Sequence, residues 1–105
     1  MSGFDEREKA QEAKFAHDAQ LQFKAEARRN KLLALWAADL MSHANPDVYV
    51  GEVIASDFEE AGDDDVFRKV KADLVAAEQN VSDEDLRAKM NEFMATAREQ
   101  VLSEV

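Results

Sequence analysis

Helix-breaking residues are almost missing from this chain. One proline, Pro46, and three glycines, Gly3, Gly51 and Gly62, are all that interrupt its 105 residues. Long unbroken runs with plentiful alanine favour helix, because alanine loses no rotamers there and packs poorly on a pleated surface. The sparse breaks divide the chain into one long segment, about 4–41, and three shorter ones. In the first, Leu32, Leu33, Trp36 and Leu40 fall on one side at helical spacing, and Leu21, Ala25 and Phe23 extend the contact backwards.

The later segments carry start signals of their own. Asn45 is placed to cap a second helix with Pro46 at its first position; Val48, Tyr49, Val50, Val53, Ile54 and Phe58 form its broad apolar face. That helix is expected to end at Gly62, where a left-handed residue costs nothing. The run VYVGEVIA within it is rich in β-branched residues and would also suit a strand. Asp63 is expected to cap a third helix with the stripe Val66, Phe67, Val70 and Leu74. Ser82 with Asp85 resembles a capping box, stapled by Val81 and Leu86, and opens a fourth stripe of Leu86, Met90, Phe93, Ala97 and Val101. Four helices that each hide one face predict an all-α four-helix bundle with short connections and a long first helix.

Charge narrows the partners. The formal net charge is -10, and between Asp39 and Asp65 there are nine acidic residues and no Lys or Arg. A phosphate backbone would be repelled by most of this surface, which argues against nucleic acid. Cysteine is absent, so no disulfide or thiolate site can form. No apolar run approaches the ~20 residues needed to cross a bilayer, so a cytoplasmic protein without direct membrane insertion is expected. Catalysis needs a nucleophile, base or metal in a fixed arrangement, and only His17 and His43 are available as imidazoles. His43 falls near a helix end, where a cation is favoured. The cluster Glu59, Glu60, Asp63, Asp64 and Asp65 lacks the alternating ligands of a calcium loop, and capping with solvation explains it better. No phosphate-binding glycine loop is present, so the chain reads as a non-enzyme.

The stretch ahead of Leu21 is the anomaly. MSGFDEREKAQEAKFAHD holds eight charged residues among eighteen, with Phe4 and Phe15 as its large apolar side chains. On a helix these two, eleven apart, project within about 20° of each other, while Ala10 and Ala13 lie elsewhere. Two readings stay open. The segment is either a frayed extension that folds back onto the bundle, or a mobile segment that becomes helical in a groove of another protein. Ordering costs ~1–2 kcal/mol per residue and a buried Phe returns only ~1.5–3 kcal/mol. A partner would therefore have to supply backbone, alanine-face and charge contacts as well.

The runs FDEREKAQEAKFAHDAQLQFKAEARRNKLLALWAA at 4–38, SDFEEAGDDDVFRKV at 56–70 and ATAREQ at 95–100 resemble the zeta subunit of alphaproteobacterial F-type ATP synthases, along essentially the whole chain. The resemblance implies a bundle over 19–105 and a mobile N-terminal inhibitory segment over 1–18. In that family the segment becomes helical on entering a catalytic alpha/beta interface near the gamma stalk and blocks ATP hydrolysis by F1. By that likeness Phe4, Asp5, Arg7, Glu8, Glu12, Lys14, Phe15, His17 and Asp18 are the partner-binding residues, and Phe23 to Trp36 form the linking helix. The implied partners are the F1 alpha, beta and gamma subunits, with the protein peripheral to the inner membrane through the synthase. No cofactor is required. Weak ATP or ADP binding on the bundle is implied without assignable residues, and the alternative is a nucleotide-responsive bundle that associates with the synthase without strong inhibition. Glu6, Lys9, Gln11 and Gln20 depart from the Asp, Arg, His or Glu of the inhibitory relatives, and the changes at Gln11 and Gln20 alter charge or hydrogen-bonding capacity.

Overall fold

The computed structural model describes residues 18–58 and 62–104. Within them lie four α-helices: α1 (Ala19–Leu40), α2 (Pro46–Ser56), α3 (Asp64–Ala76) and α4 (Asp83–Ser103). Two starts follow the expected chemistry. Asn45 Oδ1 accepts the Val48 N–H at 3.4 Å, and Ser82 Oγ accepts the Asp85 N–H at 3.1 Å, each satisfying a donor that the first turn leaves without an intrahelical partner. The VYVGEVIA run lies in α2 and is helical.

Two boundaries differ from expectation, and two others carry no sequence signal. The second helix ends at Ser56 and not at Gly62; Gly62 does adopt a left-handed φ of +87°, but in the connection beyond. Asp63 occupies the N-cap position of α3 without making a side-chain cap bond, because its carboxylate is engaged by Arg87 at 2.9 Å. The ends of α1 and α3 turn on non-glycine residues in the left-handed region, Ser42 at φ 51° and Glu78 at φ 60°. After α1 the His43 N–H bonds the Ala38 carbonyl and the Ser42 N–H bonds that of Asp39; after α3, Gln79 bonds Leu74 and Glu78 bonds Val75. Both are the paired six-to-one and five-to-two bonds of a Schellman motif. A left-handed turn without glycine leaves no mark in the sequence.

α1 is the hub. It packs along α4 and α2 and also reaches α3, whereas α2 and α4 lie diagonally apart without contact. The main core gathers Leu33, Ala34, Ala37, Tyr49, Val53, Val66, Val70, Leu74, Leu86 and Met90, with Trp36, Leu40, Phe67, Val81 and Phe93 half-buried against it. A smaller cluster of Leu21, Ala25 and Val101, backed by Met94 and Leu102, joins the start of α1 to the end of α4. Alanine on α1 lets the neighbouring helices approach it closely. Phe23, Val48 and Phe58, expected to face inward, are exposed.

Candidate functional site

Of the nine expected partner-binding residues, Phe4, Asp5, Arg7, Glu8, Glu12, Lys14, Phe15 and His17 lie outside the described residues. Asp18 is described, and it has a definite structural job. Its backbone is extended, at φ -113° and ψ 100°, and its carboxylate accepts the N–H groups of Gln20 and Leu21 at 3.0 and 3.2 Å. An acceptor there holds the first turn of α1 and sets a negative charge at the positive end of the helix. The start of the bundle is fixed at this residue.

Beyond it the linking stretch of α1 carries an unforeseen polar seam. Arg29 and Asn30 are 3% and 1% exposed. Arg29 Nε donates to Asn30 Oδ1 at 2.7 Å, and Asn30 Nδ2 donates to Asp57 Oδ2 at 2.9 Å. The Arg29 guanidinium also stands 3.8 Å from Asp57 and 3.7 Å from Asp63. Arg87 of α4 holds Asp63 and Asp64 together while lying over the Phe67 ring, 4.4 Å from its centroid. Burial pushes the Asp57 carboxyl above the usual carboxylate range despite Asn30 and Arg29, which pull it down. The Asp63 and Asp64 portion of the acidic cluster is therefore not merely solvated. It ties the α2–α3 connection to α1 and α4.

Sequence reasoning missed Arg29, yet a signal was present: Leu21, Ala25, Arg29, Leu33 and Ala37 recur every fourth residue, and all five are buried. A cation on an apolar stripe requires buried acceptors, which the acidic connection supplies.

Next to this seam a groove of about 230 Å³ opens between α1 and the α2–α3 connection, with Phe23 and Phe58 at its edge and Glu26 and Asp57 in its wall. The two rings lie 6.5 Å apart. Acidic walls disfavour a polyphosphate ligand.

Beyond the opposite end of α1, His43 Nδ1 accepts the Asn45 N–H at 3.0 Å, and its ring centroid lies 5.3 Å from that of Tyr49. The Tyr49 hydroxyl donates to Asp73 Oδ2 at 2.9 Å. Burial, followed by the bond to Asp73 and the charges of Asp73 and Glu52, drives its pKa far above the ordinary phenol range. A phenol held protonated in this way is neither nucleophile nor base. Among the described residues no group of three or more His, Cys, Asp or Glu could hold a metal ion, and no helix is long and apolar enough to cross a membrane.

Comparison with curated protein sequences gives no match. Among solved structures, a chain determined by solution NMR is 44% identical, superposes with a TM-score of 0.70, and is matched over 99% of its own length and 81% of this chain. A family model described as ATPase inhibitor subunit zeta matches residues 1–100, so the family's pattern covers the bundle together with the charged stretch that precedes Asp18. The chain belongs to the ATPase inhibitor subunit zeta family, whose members act as inhibitor subunits of an ATPase and not as catalysts.

Proposed function

We propose that this chain stops ATP hydrolysis by the F1 sector through residues 1–18, which become helical inside a catalytic alpha/beta interface near the gamma stalk, while residues 19–105 form the bundle that carries them. The contacts to the partner are assigned to Phe4, Asp5, Arg7, Glu8, Glu12, Lys14, Phe15, His17 and Asp18. The observation that carries this reading is that the inhibitor-family pattern includes the first eighteen residues, which by composition hold too little apolar surface to form a core element of their own.

The mechanism is a block. Rotary hydrolysis requires each catalytic interface to open and close in turn, and a helix complementary to one of those states holds it there. An inhibitor with equal affinity for every state would shift no population. Asp18 adds a joint. Running an inserted helix straight into α1 would turn the extended Asp18 helical and release two N–H bonds to its side chain, a cost of about 0.5–2 kcal/mol set against the new helical bonds. If Asp18 instead keeps its cap, the inserted helix and α1 meet at an angle, and the bundle stands outside the cleft.

Deleting residues 2–18 is expected to abolish inhibition of the cognate F1 while the remaining chain keeps its helical circular dichroism and its cooperative melt. Undiminished inhibition by the shortened chain would refute the assignment. Phe15→Ala should weaken inhibition by ~1.5–3 kcal/mol, the transfer value of one buried phenylalanine; an unchanged inhibition constant would place that ring on a solvent face.

A further inference from the structure

We propose that the groove edged by Phe23 and Phe58 is a second docking surface for the ATPase, taking an apolar side chain of the partner's outer surface that is flanked by Lys or Arg. The inference depends on the inhibitory reading for the identity of the partner, and on the geometry of the bundle for the surface itself.

An isolated exposed phenylalanine is ordinary. Here two rings from separate elements, 57% and 70% exposed, stand 6.5 Å apart, and Ala27, Ile54 and Gly62 line the hollow beside them. Paired aromatics at the edge of a preformed hollow make a good anchor site for a protein partner. Two of its wall side chains are already positioned: Asp57 is held by Asn30, and Glu26 accepts from Gln22 Nε2 at 3.1 Å, so neither needs ordering on binding.

Charge selects the occupant. Glu26 and Asp57 face the groove, the nearby Arg29 is already directed at Asp57 and Asp63, and the chain from Asp39 to Asp65 contains no Lys or Arg. A second copy would bring an identical acidic wall and a net charge of -10 against the first, which opposes self-association. A basic rim on the partner complements this acidic wall. Position selects the partner. Phe23 follows Asp18 by five residues, about 7.5 Å along α1, so a protein that grips the chain ahead of Asp18 has its outer surface beside the groove.

The test uses the full chain, immobilised, with cognate F1 in solution, comparing the unsubstituted protein with F23A/F58A and with Glu26→Lys. Both phenylalanines are exposed, so the double variant is expected to keep its thermal melt. Its dissociation constant should rise at least ~10-fold. Inhibition at saturation should remain complete because residues 1–18 are intact. E26K should bind several-fold more weakly in low salt, with the difference fading as salt is added. Binding of F23A/F58A within about twofold of the unsubstituted chain would overturn the proposal. So would a dimer of the unsubstituted chain in sedimentation that F23A/F58A dissolves, since the groove would then belong to a second copy. Failure of the unsubstituted chain to bind F1 would remove both this inference and the inhibitory reading. If the unsubstituted chain binds without inhibiting and the double variant does not bind, the inhibitory reading falls and the docking surface stands.

Discussion

The Asp18 carboxylate serves two amides at the head of α1, and under the function proposed above it is also a contact to the partner. Asp18→Ala should lower stability by about 1 kcal/mol, the usual worth of a cap, which for a domain of this size means a melting temperature lower by ~4–8 °C. A melt followed at 222 nm would measure it, and an unchanged midpoint would mean that the cap is replaced by solvent without loss. The residue scale is also where the sequence was least legible. Apolar positions such as Leu33, Val70, Leu74, Leu86 and Met90 announced their burial by spacing, and they are buried. Asn30 did not, because its burial depends on Asp57, 27 residues beyond it, and no local pattern encodes that meeting; the stripe that marks Arg29 for burial does not say which acids it will meet. Phe58 misled in the other direction: helical spacing aims it inward only if α2 continues to Gly62, and α2 stops at Ser56.

At the level of elements, starts were easier to foresee than stops. Helix starts advertise themselves through Asn, Ser and Pro, whose side chains or fixed φ do the capping. The stops of α1 and α3 rest on Ser42 and Glu78 in a conformation that glycine would adopt freely, and they are held by backbone bonds alone. Placing a Cβ in the left-handed region costs up to about 1–2 kcal/mol. Glu78→Gly should therefore stabilise the fold, by less than that because glycine also gains freedom in the unfolded chain. Gly51→Ala should likewise stabilise by roughly 0.5–1 kcal/mol, since Gly51 sits within α2 and an added Cβ would meet no atom within 4 Å. Chemical denaturation of the two variants decides both claims, and a lower midpoint for either would count against the backbone geometry described above.

For the whole molecule, the fold class follows from four apolar stripes needing one another, whereas the pairing scheme does not. Nothing in the spacing of residues announces that α1 and α3 each touch all three other helices while α2 and α4 stay apart. Hydrogen exchange should reveal this arrangement. Amides over 33–38 and around Met90, in the main core, should be the slowest to exchange, and those of Ala44 and Gly62, exposed and outside the helices, the fastest among the described residues. Uniform protection would indicate one undivided cooperative unit. The small cluster of Leu21, Ala25 and Val101 stands apart from the main core, reinforced by Arg28, which bonds Gln100 at 2.8 Å and Glu104 at 2.7 Å. Tension arriving through Asp18 therefore meets this outlying clasp first. If the ATPase holds the chain ahead of Asp18 as proposed, the first turns of α1 peel from the tail of α4 and lengthen the tether before the rest of the bundle yields, as a fuse gives way ahead of the machine it protects.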